Sequence, residues 1–310
     1  MPDKHPIIAV TGSSGAGTTS VQDAFAEIFR HLEIKAANVH GDAFFRYNRD
    51  EMSRVIEASQ AGGTPLSHFS PDTNLFAELE ALFEEYAAAG TGKTRHYVQD
   101  GDEAARYGVP AGEFTPWAAL ADDTDLLFYE GLHGGVAAAT WTRRRASPAH
   151  RPDALPDRRK GLKGVDVAQY VDLLIGVVPV LNLEWIQKIH RDCNKGNSDP
   201  NEAGTTILRR MNDYINFIVP QFAITDINFQ RVPLVDTSNP FEAQDIPNAD
   251  ESVIVVHFRD PKRHDFDALL KQIDEAYMTR ANTMVLPGGQ MTHALEIICT
   301  PIIRSLVRSQ

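Results

Sequence analysis

Six short apolar runs constrain this chain more than any other feature: "IIAVTG" (7–12), "KAANVHGD" (35–42), "LLFYEG" (126–131), "DLLIGVV" (172–178), "VPLVDT" (232–237) and "SVIVVHF" (252–258). Their hydrophobicity is continuous rather than alternating, as expected of strands covered on both faces in a parallel sheet. Stretches of helical length and period fall between or after them, at 18–32, 49–61, 72–89, 183–194, 205–219, 265–279 and 290–309. The alternation predicts an α/β fold, a doubly wound and mostly parallel sheet with flanking helices. No internal repeat is visible, which excludes solenoids and propellers. With 310 residues, 43% of them hydrophobic, a sizeable core is within reach, and one domain over 1–310 is the expectation.

A formal charge of −12 argues against a nucleic-acid surface, though not against a local basic pocket for a phosphorylated small molecule. Cys193 and Cys299 are the only cysteines, too few for a disulfide framework, so a reduced cytoplasmic setting is expected. No apolar run approaches a membrane span and no signal-peptide core precedes the first strand, so no membrane partner is expected. The segment 140–164 carries six arginines and no strand pattern, which reads as a basic loop insertion. Segment 90–117 is loop-like, with two hairpin strands expected around "RHYVQD" and "EFTPW".

The first strand runs into "GSSGAGTTS" and then an amphipathic helix with Val21, Phe25, Ile28, Phe29 and Leu32 on one face. Against G-x-x-x-x-G-K-[ST], Gly12, Gly17 and Thr19 fit, while Thr18 stands where the lysine belongs. In that context backbone N–H groups of Gly12, Ser13, Ser14, Gly15, Ala16, Gly17, Thr18 and Thr19 are candidates to cradle nucleotide phosphates at a helix N-terminus. Thr19 is a candidate Mg²⁺ ligand. An ordinary strand-to-helix turn is the plainer alternative.

Three further groups point to phosphoryl transfer, and together these motifs predict a P-loop kinase fold. Asp42, just past the second strand, stands where a carboxylate can take a proton from a substrate hydroxyl, with Arg46 and Arg49 placed to share a helical face and bind an anionic substrate. A turn with a helix cap is its plainer reading. Glu130 ends a buried strand, a position from which a carboxylate can reach Mg²⁺; a solvated strand end competes. On 183–194, Lys188 and Asp192 are i,i+4 with Arg191 beside them, and Trp185, Ile186 and Ile189 cover the opposite side. Such a helix can close as a lid and supply the positive charge the loop lacks, or it is a surface helix with a salt bridge. Met211, Tyr214, Ile215 and Ile218 are expected in the core, leaving Arg209 and Arg210 as an exposed pair. His31, His133 and His190 lack metal-ligand spacing.

"GSSGAGTTS", "GDAFFRYNR", "SHFSPDTN", "LLFYEGLHGG", "VVPVLNLEWIQKIHRD", "ILRRMNDY", "DINFQRVPLVDTSNPF" and "PGGQMTHALEIICTPII" together resemble bacterial-type members of the phosphoribulokinase and uridine kinase family, over about 7 to 303. The resemblance implies ATP and Mg²⁺ as cofactors and ribulose 5-phosphate as substrate, phosphorylated at O1. It implies Asp42 as general base, Arg49 as a sugar-phosphate ligand, Glu130 as magnesium-site carboxylate, Lys188 as active-site lysine, and Arg191 with Asp192 as the lid pair, Asp192 also a metal or substrate ligand. It links Arg209 and Arg210 to allosteric control, with NADH as activator and AMP as inhibitor, in a homo-oligomer, an octamer in the bacterial manner. This chain departs from the pattern at Phe45, a substrate contact usually His, at His31, often Arg, and in "CNKGNSDPN", which leaves Lys195 where relatives carry an arginine. Cysteines near the loop, which switch plant-type members, are absent, so thiol regulation is not expected. A uridine-kinase-like nucleoside kinase and a nucleotide- or NADH-binding regulatory protein stand as alternatives.

Overall fold

The computed structural model describes residues 5–12, 18–61, 66–136, 165–194, 199–241 and 245–308. Loop residues 13–17, the side chains of Thr18 and Thr19, the basic segment 140–164 and Lys195 lie outside the described residues. Along the chain run β1 (Ile7–Gly12), α1 (Thr18–Leu32), β2 (Ala36–His40), α2 (Arg49–Ala61), α3 (Phe76–Ala89), β3 (Lys93–Thr94), α4 (Gly101–Tyr107), β4 (Ala118–Ala119) and β5 (Leu126–Gly131). Then come β6 (Leu173–Pro179), α5 (Leu181–Asn194), α6 (Pro200–Asp213), a π-helical turn Tyr214–Ile218, α7 (Val219–Phe222), β7 (Ile227–Pro233), β8 (Ser252–Phe258), α8 (Phe266–Gln272), β9 (Tyr277–Arg280), β10 (Thr283–Pro287) and α9 (Met291–Arg308). The expected α/β class is what the chain adopts, with a mixed sheet flanked by helices.

Two compact units share the chain: 1–10, 35–173 and 210–224 form one, and 11–34, 174–209 and 225–310 the other. In the first unit, strands lie in the order β2-β5-β1. β2 and β5 are parallel and in register from Ala36 opposite Leu126 to His40 opposite Glu130. Leu126, Leu127, Phe128 and Tyr129 are all buried, which is why this run reads as uniformly apolar. A small antiparallel pair, β3 with β4, continues into a bridge between Tyr97 and Phe114, inside the two segments expected to pair as a hairpin.

In the second unit the order is β6-β7-β8-β10-β9, parallel between β6 and β7 and antiparallel thereafter. β6 is buried along its whole length. α1 packs on α9, burying Val21, Phe25, Ile28 and Phe29 as its periodicity predicts. Gly12 approaches the main chain of β6 so closely that a Cβ would overlap the carbonyl oxygen of Val177. The first loop glycine is therefore required by sheet packing as well as by any phosphate.

Four expectations need correction. The seventh strand is Ile227–Pro233, earlier than "VPLVDT", because buried Ile227 and Phe229 alternate with half-buried Asn228 and Gln230, a pattern a search for continuous apolar runs overlooks. The helix expected over 265–279 stops at Gln272; Glu275 takes the left-handed conformation (φ 59°), and Tyr277–Arg280 is an exposed edge strand. The helix expected from 72 starts at Phe76, since Pro71–Thr73 form a 3₁₀ turn capped by Ser70. Finally, the π turn inserts an extra residue into the helical phase: Asn216, Phe217 and Ile218 turn inward while Ile215, expected in the core, is 52% exposed. Met211 and Tyr214 are only half-buried, and so are Arg209 and Arg210, expected exposed.

Candidate active site

Where β2 and β5 end, two glycines let the backbones touch. A Cβ on Gly131 would stand 2.7 Å from the Cα of Gly41, and one on Gly41 would stand 2.6 Å from the Tyr129 hydroxyl. Any larger residue at either position forces the strand ends apart. The parallel register, with His40 opposite Glu130, thus brings the turn holding Asp42 beside the end of the strand holding Glu130. These are the carboxyl ends of the strands, where ligands bind in sheets of this kind.

Asp42 sits half-buried in a 3₁₀ turn, Gly41–Phe44, whose last two residues, Ala43 and Phe44, are buried. Burial pushes its carboxyl up to about 6, with Glu103 adding to the rise and the hydrogen bond from Gln99 opposing it. Burial, with both Asp42 and Glu130 nearby, also raises the Tyr129 phenol well above its usual range. Two carboxylates and a neutral phenol gather at this one point. A group balanced near 6 is a base at neutral pH and still basic enough to accept a proton.

The turn is clamped from outside. Nε of Arg95 donates to the carbonyl of Ala43 (2.8 Å) and Nη2 to that of Phe45 (2.6 Å), so one guanidinium holds both sides of the Asp42 turn. That guanidinium lies over the rings of Phe114 (3.6 Å) and Trp117 (4.8 Å). Phe45 faces aromatic neighbours, His68 at 5.2 Å and Tyr97 at 5.8 Å between ring centres.

Helix α2 begins with a reciprocal cap: the Asn48 side chain accepts from the N–H of Glu51, and the Glu51 carboxylate accepts from the N–H of Asn48. This start places Arg49 at the first helical position. Its Nη2 donates to the carbonyl of Gln99 (2.7 Å), and its main-chain N–H to that of Gly112. Arg46, expected on the same helical face, lies before the helix and is engaged by the carbonyls of Asp72 and Asn74. It is a strut of the loop, not a partner of Arg49.

In the second unit, α5 turns Ile186 and Ile189 inward, and Ile189 packs with Ala203 and Ile207, flanked by Trp185 and Cys193. On the other side Lys188 donates to Asp192 Oδ2 at 2.6 Å, and Arg191 approaches Asp192 Oδ1 at 3.8 Å. The i,i+4 pair expected on this helix is formed, with both side chains mostly buried. Trp185 also packs on Phe241, and Asn182 Nδ2 donates to the carbonyl of Thr237.

Sequence reasoning missed Arg95, Gln99 and Glu103. They lie in a stretch that reads as a hairpin loop, and only the pairing of Tyr97 with Phe114 turns them onto the Asp42 turn. The sole local sign was the run of polar residues directly after "RHYV".

Carboxylates gathered at the carboxyl ends of strands are an arrangement that phosphotransferases use. The chain belongs to the phosphoribulokinase / uridine kinase family, whose model matches residues 7–146 and 153–238. It is 52% identical to a phosphoribulokinase of Nitrobacter vulgaris over 99% of this chain and 98% of that protein. It is 50% identical to the chromosomal phosphoribulokinase of Cupriavidus necator, covering 98% and 96% respectively. A solved phosphoribulokinase from Rhodobacter spheroides is similar in structure, with a TM-score of 0.83 and 46% identity over 98% of each chain.

Proposed function

We propose that this chain transfers the terminal phosphoryl group of ATP to O1 of ribulose 5-phosphate, yielding ribulose 1,5-bisphosphate and ADP. Full-length similarity to phosphoribulokinases supports the substrate. The observation that carries the chemistry is the half-buried Asp42, raised to about 6 beside the end of β5. In this reading Asp42 accepts the hydroxyl proton and Arg49 binds the sugar phosphate with the guanidinium N–H groups its bond to the carbonyl of Gln99 leaves over. Lys188 and Arg191 offset the charge of the transferring group, the role that loop position Thr18 cannot fill. Backbone amides of 12–19 hold the nucleotide phosphates.

Glu130 offers hard carboxylate oxygen at a strand end, which fits Mg²⁺, and Thr19 and Asp192 complete the proposed donor set. When bound, Mg²⁺ neutralises charge on the phosphoryl oxygens. We extend the reading to regulation: NADH activates and AMP inhibits through Arg209 and Arg210, in a homo-oligomer, with the resemblance as the support. Coupled ADP release with ribulose 5-phosphate, with uridine, or with neither tests the assignment. Turnover with uridine alone makes the chain a nucleoside kinase, and no turnover with either substrate ends the kinase reading.

A further inference from the structure

Gln99 lies between β3 and α4, in no regular element. Its main-chain N–H donates to Oε2 of Glu103 at 2.7 Å, and its carbonyl accepts from Arg49 at 2.7 Å. The preceding residue is held as well, Val98 donating to Glu113 O and accepting from the N–H of Gly112. With its main chain held on both sides, the point from which the side chain extends is set. Its Nε2 donates to Oδ2 of Asp42 at 2.5 Å.

We propose that Gln99 is a positioning residue that holds the Asp42 carboxylate in one orientation through its amide N–H, and is itself held by Arg49 and Glu103. The role rests on the reading of Asp42 as the base. An ionised carboxylate has only acceptors, so the amide must present its nitrogen, and the bond occupies Oδ2 and leaves Oδ1 to receive a proton. Arg49 ties the same residue to the phosphate-binding side, so the base and the anchor for the distal end of the substrate share one support. A misplacement of about 1 Å at a reacting group costs on the order of 100-fold in rate, so such a support has catalytic consequence without touching substrate.

Two full-length variants test it, Gln99→Leu and Gln99→Glu, each with thermal unfolding measured alongside kinetics. Both are expected to lower kcat by about 10- to 100-fold with KM for ATP within about twofold of wild type. Glutamate keeps the shape of glutamine but replaces the donor with an acceptor, so Gln99→Glu falls at least as far as Gln99→Leu. Wild-type kcat in Gln99→Glu overturns the proposal, because only packing is then at work. A change confined to KM for ribulose 5-phosphate also overturns it, making Gln99 a substrate contact. A crystal structure of Gln99→Leu reads the point independently of turnover: Asp42 is expected to change rotamer, and unchanged torsions overturn the proposal. Failure of the wild type to phosphorylate ribulose 5-phosphate sinks the functional assignment instead, and the crystallographic comparison still decides the role of Gln99.

Discussion

Asp42 and His133 pull the stability of the native state in opposite directions as pH falls. His133 is buried against Phe76, which holds its imidazole down at about 4. Between its usual value and 4 the unfolded chain binds the extra proton, so stability is lost as pH falls from about 6.5 to 4, by about 3 kcal/mol in all. The Asp42 carboxyl, raised to about 6, binds its proton first in the folded chain, so its contribution rises as pH falls from about 6 to 4. At neutral pH the charged Asp42 is accordingly a cost. Asp42→Asn is expected to raise stability by about 1–3 kcal/mol, read by chemical denaturation, while lowering kcat at least 100-fold. If the variant keeps near-normal turnover, Asp42 is not the base. In the wild type kcat/KM is expected to climb with pH through about 6, as Asp42, the proposed base, loses its proton.

At the scale of elements, the site depends on two strand ends meeting and on one outside clamp. Gly131→Ala forces a Cβ against Gly41 and is expected to cost about 1–3 kcal/mol of stability together with most of the activity. Alanine at exposed Gly101, where no atom stands within 4 Å, serves as the control and should leave turnover unchanged. Arg95→Met removes both bonds to the Asp42 turn while keeping an apolar stem against Phe114 and Trp117. Loss of kcat with ATP affinity retained is the expected outcome, measured by steady-state kinetics and nucleotide binding. Much of the element level was legible in advance: the runs at 7–12, 126–131 and 252–258 are strands over the expected residues. The hairpin β9–β10 was not, because its outer strand is exposed and carries no apolar signature. The π turn was equally hidden, since Met211, Tyr214, Ile215 and Ile218 satisfy helical spacing in sequence and only packing selects the extra residue.

Across the molecule, both cysteines are free. Cys299 is fully buried on α9 with its thiol pushed up to about 12, whereas Cys193 is half-buried. A thiol reagent should titrate one cysteine in the folded protein and two after denaturation, with no effect of reductant on Tm; two reactive thiols under native conditions would contradict the packing of α9. Long-range polar bonds also organise the first unit. Ser67 donates to buried Asp213 across 146 positions of chain, and the N–H of Ile7 donates to Asp172 across 165. Among the described residues, no helix is long and apolar enough to cross a membrane.

From the order of residues alone followed the α/β class, the helix α1 that begins at Thr18, Asp42 and Glu130 at strand ends and the Lys188–Asp192 pair, because each is written within a few residues as a period, a spacing or a motif. Tertiary structure decided which polar groups surround Asp42. Gln99 reaches its carboxylate, and Arg95 the carbonyls on either side of it, only because the segments around Tyr97 and Phe114 bridge, and Arg46, so near in sequence, is drawn off to the carbonyls of 72 and 74. A carboxyl's basicity and orientation depend on burial and on donors brought from elsewhere in the chain, and no local pattern encodes either.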